Sequence, residues 1–232
     1  MRETKKADKG LFYDGFASDF DKKMNMYDTE KRLRVVFDGL FNDGELKGKK
    51  LLDAGSGTGW FSRRAVELGA EVTSLDVGER LLDEVRKKCD TTRVVGDVTR
   101  LKFPDASFDC IVSTEVIEHT PDPNKAIREM SRVLKKKGVL ALTVPNRAWH
   151  FAVAIGNALR LRPYEGYENW VGWGELKAEL ERNGLKVTRQ FGFHALPFVV
   201  SPLYPVIDAL DKRGEGFLGR YMVNIAVRAE KV

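Results

Sequence analysis

The 232-residue chain carries only two cysteines and three histidines. Cys89 and Cys110 stand far apart, with no metal-binding spacing and no disulfide framework. That excludes a stapled secreted scaffold and a cysteine-based zinc site, and a reducing compartment fits. Cys110, inside the apolar run FDCIVST, reads as a small core residue. No stretch reaches the roughly 18 apolar residues that read as a membrane-crossing helix. The opening MRETKKADKGLFYDGF lacks an apolar segment of signal length, so a cytoplasmic protein is expected. Internal repeats and low-complexity tracts do not stand out. Charge bias is small: 39 Lys and Arg face 34 Asp and Glu, a net of +5. The basic residues are scattered rather than clustered beside aromatics, which speaks against a nucleic-acid surface.

What is present is alternation. KKLLDAG, EVTSLDV (ending at Asp76), TRVVGDV (ending near Asp97), the start of FDCIVSTEVIEH and GVLALTVP read as strands. Between them, GWFSRRAVELGA and GERLLDEVRKKC read as helices, the first stopped by Gly69. DPNKAIREMSRVLKKKG is a further helix, with Asp122 as cap, Pro123 in the first turn and Lys135 to Lys137 at its solvated C-terminal end before Gly138. The rhythm over residues 49–145 predicts right-handed crossovers and a mostly parallel sheet. ELKAELERNG, LKVTRQFGF and YMVNIAVRAEK add a helix and two strands. Ahead of the first strand, Phe12, Phe16 and Phe20, then Leu33, Val36, Phe37 and Leu40, predict two helices within residues 10–45.

The stretch LLDAGSGTGW, residues 51–60, is the most specific feature. It lacks the lysine of a phosphate-binding P-loop. A dinucleotide loop needs G-x-G-x-x-G, and here position 60 is Trp. Asp53, just before the first glycine, would repel a pyrophosphate and suits a cationic amine. Asp76 is placed to accept from a ribose diol, and Asp97 from an adenine amino group. A ligand with ribose, adenine and a cationic tail but no phosphate satisfies all three: S-adenosylmethionine.

DAGSGTGW resembles motif I of the class I S-adenosylmethionine-dependent methyltransferases. SLDV at 74–77, GDV at 96–98 and FPDASFDCIVSTEVIEH at 103–119 resemble the motifs that follow, in order. The resemblance implies a Rossmann-like, doubly wound α/β fold: one domain over residues 1–232, with a mostly parallel seven-stranded sheet whose last strand is antiparallel. It places the N-terminal helices over the cofactor. By the same resemblance Asp53, Gly55, Ser56, Gly57 and Gly59 line the methionine side, Asp76 with Val77 the ribose, and Asp97 with Val98 the adenine. Glu115 also contacts the cofactor.

EVIEH followed by TPDP, and then VPNRAWH, is similar to the O-methyltransferases of ubiquinone biosynthesis, which methylate a polyprenylated catechol. The acceptor implied is a small, partly apolar molecule with a reactive hydroxyl; sugar, carboxylate and tRNA acceptors stay open. So does a non-catalytic S-adenosylmethionine-binding protein, whereas Asp53 and Trp60 argue against a nicotinamide dehydrogenase. A hydroxyl needs a base, and imidazole, with an ordinary pKa of about 6.5, makes His119 the candidate beside Glu118. Two other roles are open: a divalent cation such as magnesium held by Glu115, Glu118 and His119, or a hydrogen-bonded loop. His150 and His194 read as surface or lid residues.

Residues 146–172 interrupt the rhythm with Trp149, Phe151, Val153, Ile155, Leu159 and Leu161 among Arg147, Arg160 and Arg162. A substrate lid, a peripheral contact with lipid and a packing interface all fit. FHALPFVVSPLYPV, opening an apolar segment over 194–219, supplies another wall.

Overall fold

A computed structural model describes residues 14–151, 168–198, 201–214 and 218–232. Phe12 and the insert from 152 to 167, with Val153, Ile155, Leu159, Arg160, Leu161 and Arg162, lie outside the described residues, as do the side chains of Phe16 and Phe20.

The sheet has the strand order β3-β2-β1-β4-β5-β7-β6. Its strands are β1 (Lys50–Ala54), β2 (Glu71–Asp76), β3 (Thr92–Val95), β4 (Phe108–Thr114), β5 (Leu134–Pro145), β6 (Leu185–Phe193) and β7 (Asn224–Lys231). β1 to β5 run parallel, and β7 is antiparallel to both β5 and β6. This is the expected seven-stranded, doubly wound sheet. Both faces are covered, so the central strands are apolar on both sides. Leu52, Ile111, Leu140 and Leu142 point to one core with Ile127 and Met130. Leu51, Val112 and Ala141, one residue out of step, point to the other with Val36, Phe37 and Phe191.

The helices are α1 (Ala17–Lys23), α2 (Met26–Arg34), α3 (Trp60–Glu67), α4 (Glu79–Lys88), α5 (Pro123–Val133), α6 (Trp173–Arg182) and α7 (Tyr204–Gly214). Asn25 caps α2, which runs into a wider π-helical turn at Val35–Leu40. Among the described residues no helix is long and apolar enough to cross a membrane.

α5 begins as expected, with the Asp122 carboxylate accepting from Lys125 N at 3.0 Å. It ends earlier than its lysines suggest. Leu134 is already extended and pairs with Phe108, and β5 starts there. Lys135 to Lys137 therefore lie in β5 rather than at a helix end. The reason is local: Leu134 is fully buried, Lys135 Nζ meets Asp109 Oδ1 at 2.8 Å, and Lys137 has φ 62°. β3 also ends early, at Val95, which leaves Asp97 two residues beyond the strand.

Candidate active site at the switch point of the sheet

The strand order reverses between β1 and β4, where the carboxyl ends of parallel strands leave a crevice for ligands. A cavity of about 700 Å³ opens there, lined by Gly55 to Phe61, Asp76, Val77, Asp97, Val98 and the Glu115–Pro121 turn among others. That volume suits a small ligand.

The glycine loop is built by its backbone. Gly55, Gly57 and Gly59 all have positive φ, at 87°, 51° and 91°. At Gly55 a Cβ would also strike the Val116 side chain, 2.6 Å from Cγ1. Leu75 O accepts from Gly55 N and Ser56 N, hanging the loop on β2. Asp76 then locks it, accepting from Gly57 N on Oδ2 and Gly78 N on Oδ1, both at 2.9 Å. Burial raises the Asp76 carboxyl above the usual range while these N–H groups pull it back. α1 is tied across the loop through Asp21, which accepts from Thr58 Oγ1 and Trp60 Nε1 and pairs with Lys88 at 2.7 Å. Trp60, obstructive in the sequence, is thus part of a latch.

Asp97 lies in the cavity wall with Oδ1 accepting from Thr99 N at 2.7 Å, and Val98 lies beside it. Asp53 does not reach the cavity. It is 1% exposed and turns beneath the loop, where Oδ2 accepts from Ser62 Oγ at 2.6 Å. Ser62, Ser74 and Thr91 continue this hydroxyl ladder. Its expected place beside a ligand amine is therefore corrected: the side chain follows the alternation of β1 into the interior.

Burial pushes the Asp53 carboxyl up to about 7, against about 3.9 in an unfolded chain. Between those values the native state binds the extra proton, so this group's stabilising contribution is full at low pH and is lost as pH rises through about 7. Asp53→Asn removes the titration. Denaturant midpoints at pH 5 and pH 8 should then show the wild type losing stability relative to the variant; parallel behaviour would contradict it.

Beyond the loop, Glu115 follows β4 with φ 54°. Its carboxylate accepts from Thr143 Oγ1 on Oε1 and Asn224 Nδ2 on Oε2, both at 2.9 Å. The one-turn helix Ile117–His119 carries Glu118 and His119. Glu118 is 1% exposed, and Oε2 has no hydrogen-bond partner among the described residues. Burial, reinforced by Glu115, raises its carboxyl well above the ordinary value. His119 keeps a quarter of its side chain exposed, with Nε2 4.0 Å from Glu118 Oε1.

These three residues do not fit a divalent cation. Glu115 is engaged by two donors, and no group of three His, Cys, Asp or Glu side chains that could hold a metal occurs among the described residues. His194, expected at the surface or in a lid, is fully buried. The fold also brings in Arg32 from α2 and Asn224 from β7, which no local pattern marked, beside Trp170 of the 146–172 stretch and Phe198 of the expected apolar wall.

A family model described as "Methyltransferase domain" matches residues 52–142. The "Ubiquinone biosynthesis O-methyltransferase" of Nitrosococcus oceani is 32% identical over 168 residues, 67% of this chain and 71% of that protein. The "Malonyl-[acyl-carrier protein] O-methyltransferase" of Serratia marcescens is 36% identical over 127 residues, 53% of this chain and 50% of that protein. The chain thus spans half the length of the Serratia relative. Among solved structures, a Thermotoga maritima "SAM-dependent methyltransferase, possible histamine N-methyltransferase" superimposes with a TM-score of 0.71 at 19% identity, covering 97% of this chain and all of that one. Fold, ordered motifs and relatives agree: the chain belongs to the class I S-adenosylmethionine-dependent methyltransferases.

Proposed function

We propose that this protein transfers a methyl group from S-adenosylmethionine to the hydroxyl oxygen of a small, partly apolar, quinol- or catechol-like acceptor. One observation carries the reading: a single cavity runs from the glycine loop and Asp76 to the Glu115–His119 turn and the apolar Trp170 and Phe198. The cradle fits the cofactor at Gly55, where any Cβ is excluded, and at Asp76, whose carboxylate keeps lone pairs for a diol after accepting two N–H bonds. The backbone at Gly55, Ser56, Gly57 and Gly59 flanks the methionine portion, Val77 lies by the ribose, and Asp97 with Val98 lies at the adenine. Glu115 takes the role first given to Asp53, facing the cofactor's amine. The sulfonium supplies an electrophilic methyl; the protein's share is placement and removal of the acceptor proton. His119, partly open to the cavity, receives that proton. Glu118, whose carboxyl burial shifts toward its neutral form, lines the same cavity and is better suited to donate to the acceptor than to act as base.

The wall charge favours an uncharged acceptor. Arg32 Nη2 is held by Asp28 Oδ2 at 2.6 Å and lies 3.8 Å from Glu115 Oε2. A carboxylate acceptor would meet Glu115 with that cation already engaged.

Calorimetry tests the reading. S-adenosylmethionine and S-adenosylhomocysteine should bind and NAD should not. Asp76→Ala should keep cooperative unfolding and lose about tenfold or more in affinity, the worth of hydrogen bonds to a charged acceptor. Tight NAD binding with no heat from S-adenosylmethionine overturns the assignment, and unchanged affinity in the variant reduces Asp76 to a loop clamp. A methyl-transfer screen of catechols, quinols, sugars and carboxylates then names the acceptor class.

A further inference from the structure

Behind the cavity lies a buried chain of side chains that the transfer itself does not use. Asn224, the first residue of β7, donates from Nδ2 to Glu115 Oε2 at 2.9 Å. That fixes the amide orientation, so its Oδ1 is the group facing His194 Nδ1 at 3.2 Å. An oxygen cannot donate, so the ring hydrogen sits on Nδ1 and a neutral imidazole leaves Nε2 as a bare acceptor. Nε2 looks at Asp28 Oδ1, 3.7 Å away, and neither atom has a hydrogen-bond partner among the described residues. Asp28 Oδ2 meets Arg32, and Arg32 approaches Glu115, closing the ring of contacts.

The hydrogens can be counted. The chain Glu115–Asn224–His194–Asp28 has three links. The amide and the imidazole, each directional, supply a hydrogen to the first two. The third joins two acceptors unless one more hydrogen is present, and two facing orphaned acceptors inside a protein are costly. We propose that Asp28, His194 and Asn224 form a positioning chain, with a hydrogen on the Asp28 carboxyl aimed at His194 Nε2, that fixes the Glu115 carboxylate between the cofactor and acceptor halves of the cavity.

The surroundings support this placement. Burial holds the His194 ring neutral, down to about 3, and lifts the Asp28 carboxyl to about 6, so the carboxyl carries this hydrogen below about pH 6 and gives it up above. Lys31, the nearby cation, is engaged by Asp208 and Asp211, and Asp211 also accepts from the backbone of His194 and Ala195. His194 packs 4.1 Å from the Phe198 ring. Glu115, at one end of the chain, and His194, within it, have positive φ, 54° and 57°. Non-glycine residues rarely adopt that conformation unless their surroundings enforce it.

The role given to Glu115 rests on the cofactor reading above; the hydrogen placement does not, and the experiment separates them. Nitrogen-15 NMR of the wild type at pH 5 should show His194 as the Nδ1–H tautomer, with Nε2 accepting a hydrogen bond. Asp28→Asn, whose amide can donate in the same place, should keep that signature, and Asp28→Ala should lose the Nε2 bond. In calorimetry with S-adenosylhomocysteine, Asn224→Leu should bind about tenfold more weakly. Asp28→Asn should restore most of the affinity that Asp28→Ala loses. An Nε2–H tautomer, or wild-type affinity in Asn224→Leu, overturns the chain. A wild type that binds no S-adenosylhomocysteine overturns the cofactor reading and leaves the NMR arm to decide the hydrogen placement. That arm needs only the wild type, so a variant that fails to fold leaves it intact.

Discussion

Gly55→Ala should lower affinity for S-adenosylhomocysteine by about a hundredfold. Two costs combine. Gly55 has φ 87°, and an L-residue in left-handed backbone pays about 1–2 kcal/mol. Its Cβ would overlap the Val116 side chain, only 2.6 Å from Cγ1, and overpacking of this kind adds about 1–3 kcal/mol. The loop has little room to yield, because Gly55 N and Ser56 N hang on Leu75 O and Asp76 clamps Gly57. Val116 follows Glu115 in the chain, so pushing it also disturbs the carboxylate assigned to the cofactor's amine. Gly57 gives the contrast: it has φ 51°, and a Cβ there would meet nothing within 4 Å. Gly57→Ala should therefore show the backbone cost alone. Val116→Ala in the Gly55→Ala background should recover the steric part, read as a coupling between neighbours. Calorimetry on these proteins, with Val116→Ala alone to complete the cycle, measures each term. Wild-type affinity in Gly55→Ala would reduce the glycine to a turn residue with no bearing on a ligand.

The sheet was legible because its central strands are buried on both faces and read as apolar runs bounded by glycine and acidic residues. The glycine loop was legible because three alternating glycines before a Trp fit neither phosphate-binding pattern. What escaped depended on partners distant in the chain. Asp53 looked like a ligand group until β1 turned it onto Ser62. The three lysines after Val133 looked like a helix end, yet Leu134 pairs with Phe108 and starts β5. His194 looked superficial in a proline-rich segment, but β6 carries it inward. Asn224 meets Glu115 only because β7 runs antiparallel between β5 and β6, setting it opposite Pro145 and Phe193. A spacing of 109 residues between Glu115 and Asn224 leaves no local pattern to read.

His119→Ala should leave S-adenosylhomocysteine binding nearly intact and slow methyl transfer to a hydroxyl acceptor by about 10²–10⁴-fold, the usual worth of a positioned general base. The side chain lines the cavity from the one-turn helix after β4 and remains partly exposed, so it is placed to act on the acceptor. The neighbouring carboxyl separates this role from its rivals. Burial shifts the Glu118 carboxyl toward its neutral form, so Glu118→Gln, which keeps its shape, should retain most of the wild-type rate. Had Glu118 been the base, that variant would be the inactive one. A metal mechanism predicts a third pattern, with collapse of wild-type turnover in chelator and recovery in magnesium. Glu115 is engaged by two donors and no metal-holding group of three occurs among the described residues, so an unchanged rate is the expected result. Measuring kcat and KM for the wild type, both variants and the chelated wild type on one verified acceptor distinguishes the three. Wild-type turnover in His119→Ala, with no effect of chelator, would remove both base and metal and leave placement of the acceptor beside the sulfonium as the protein's whole contribution to the rate.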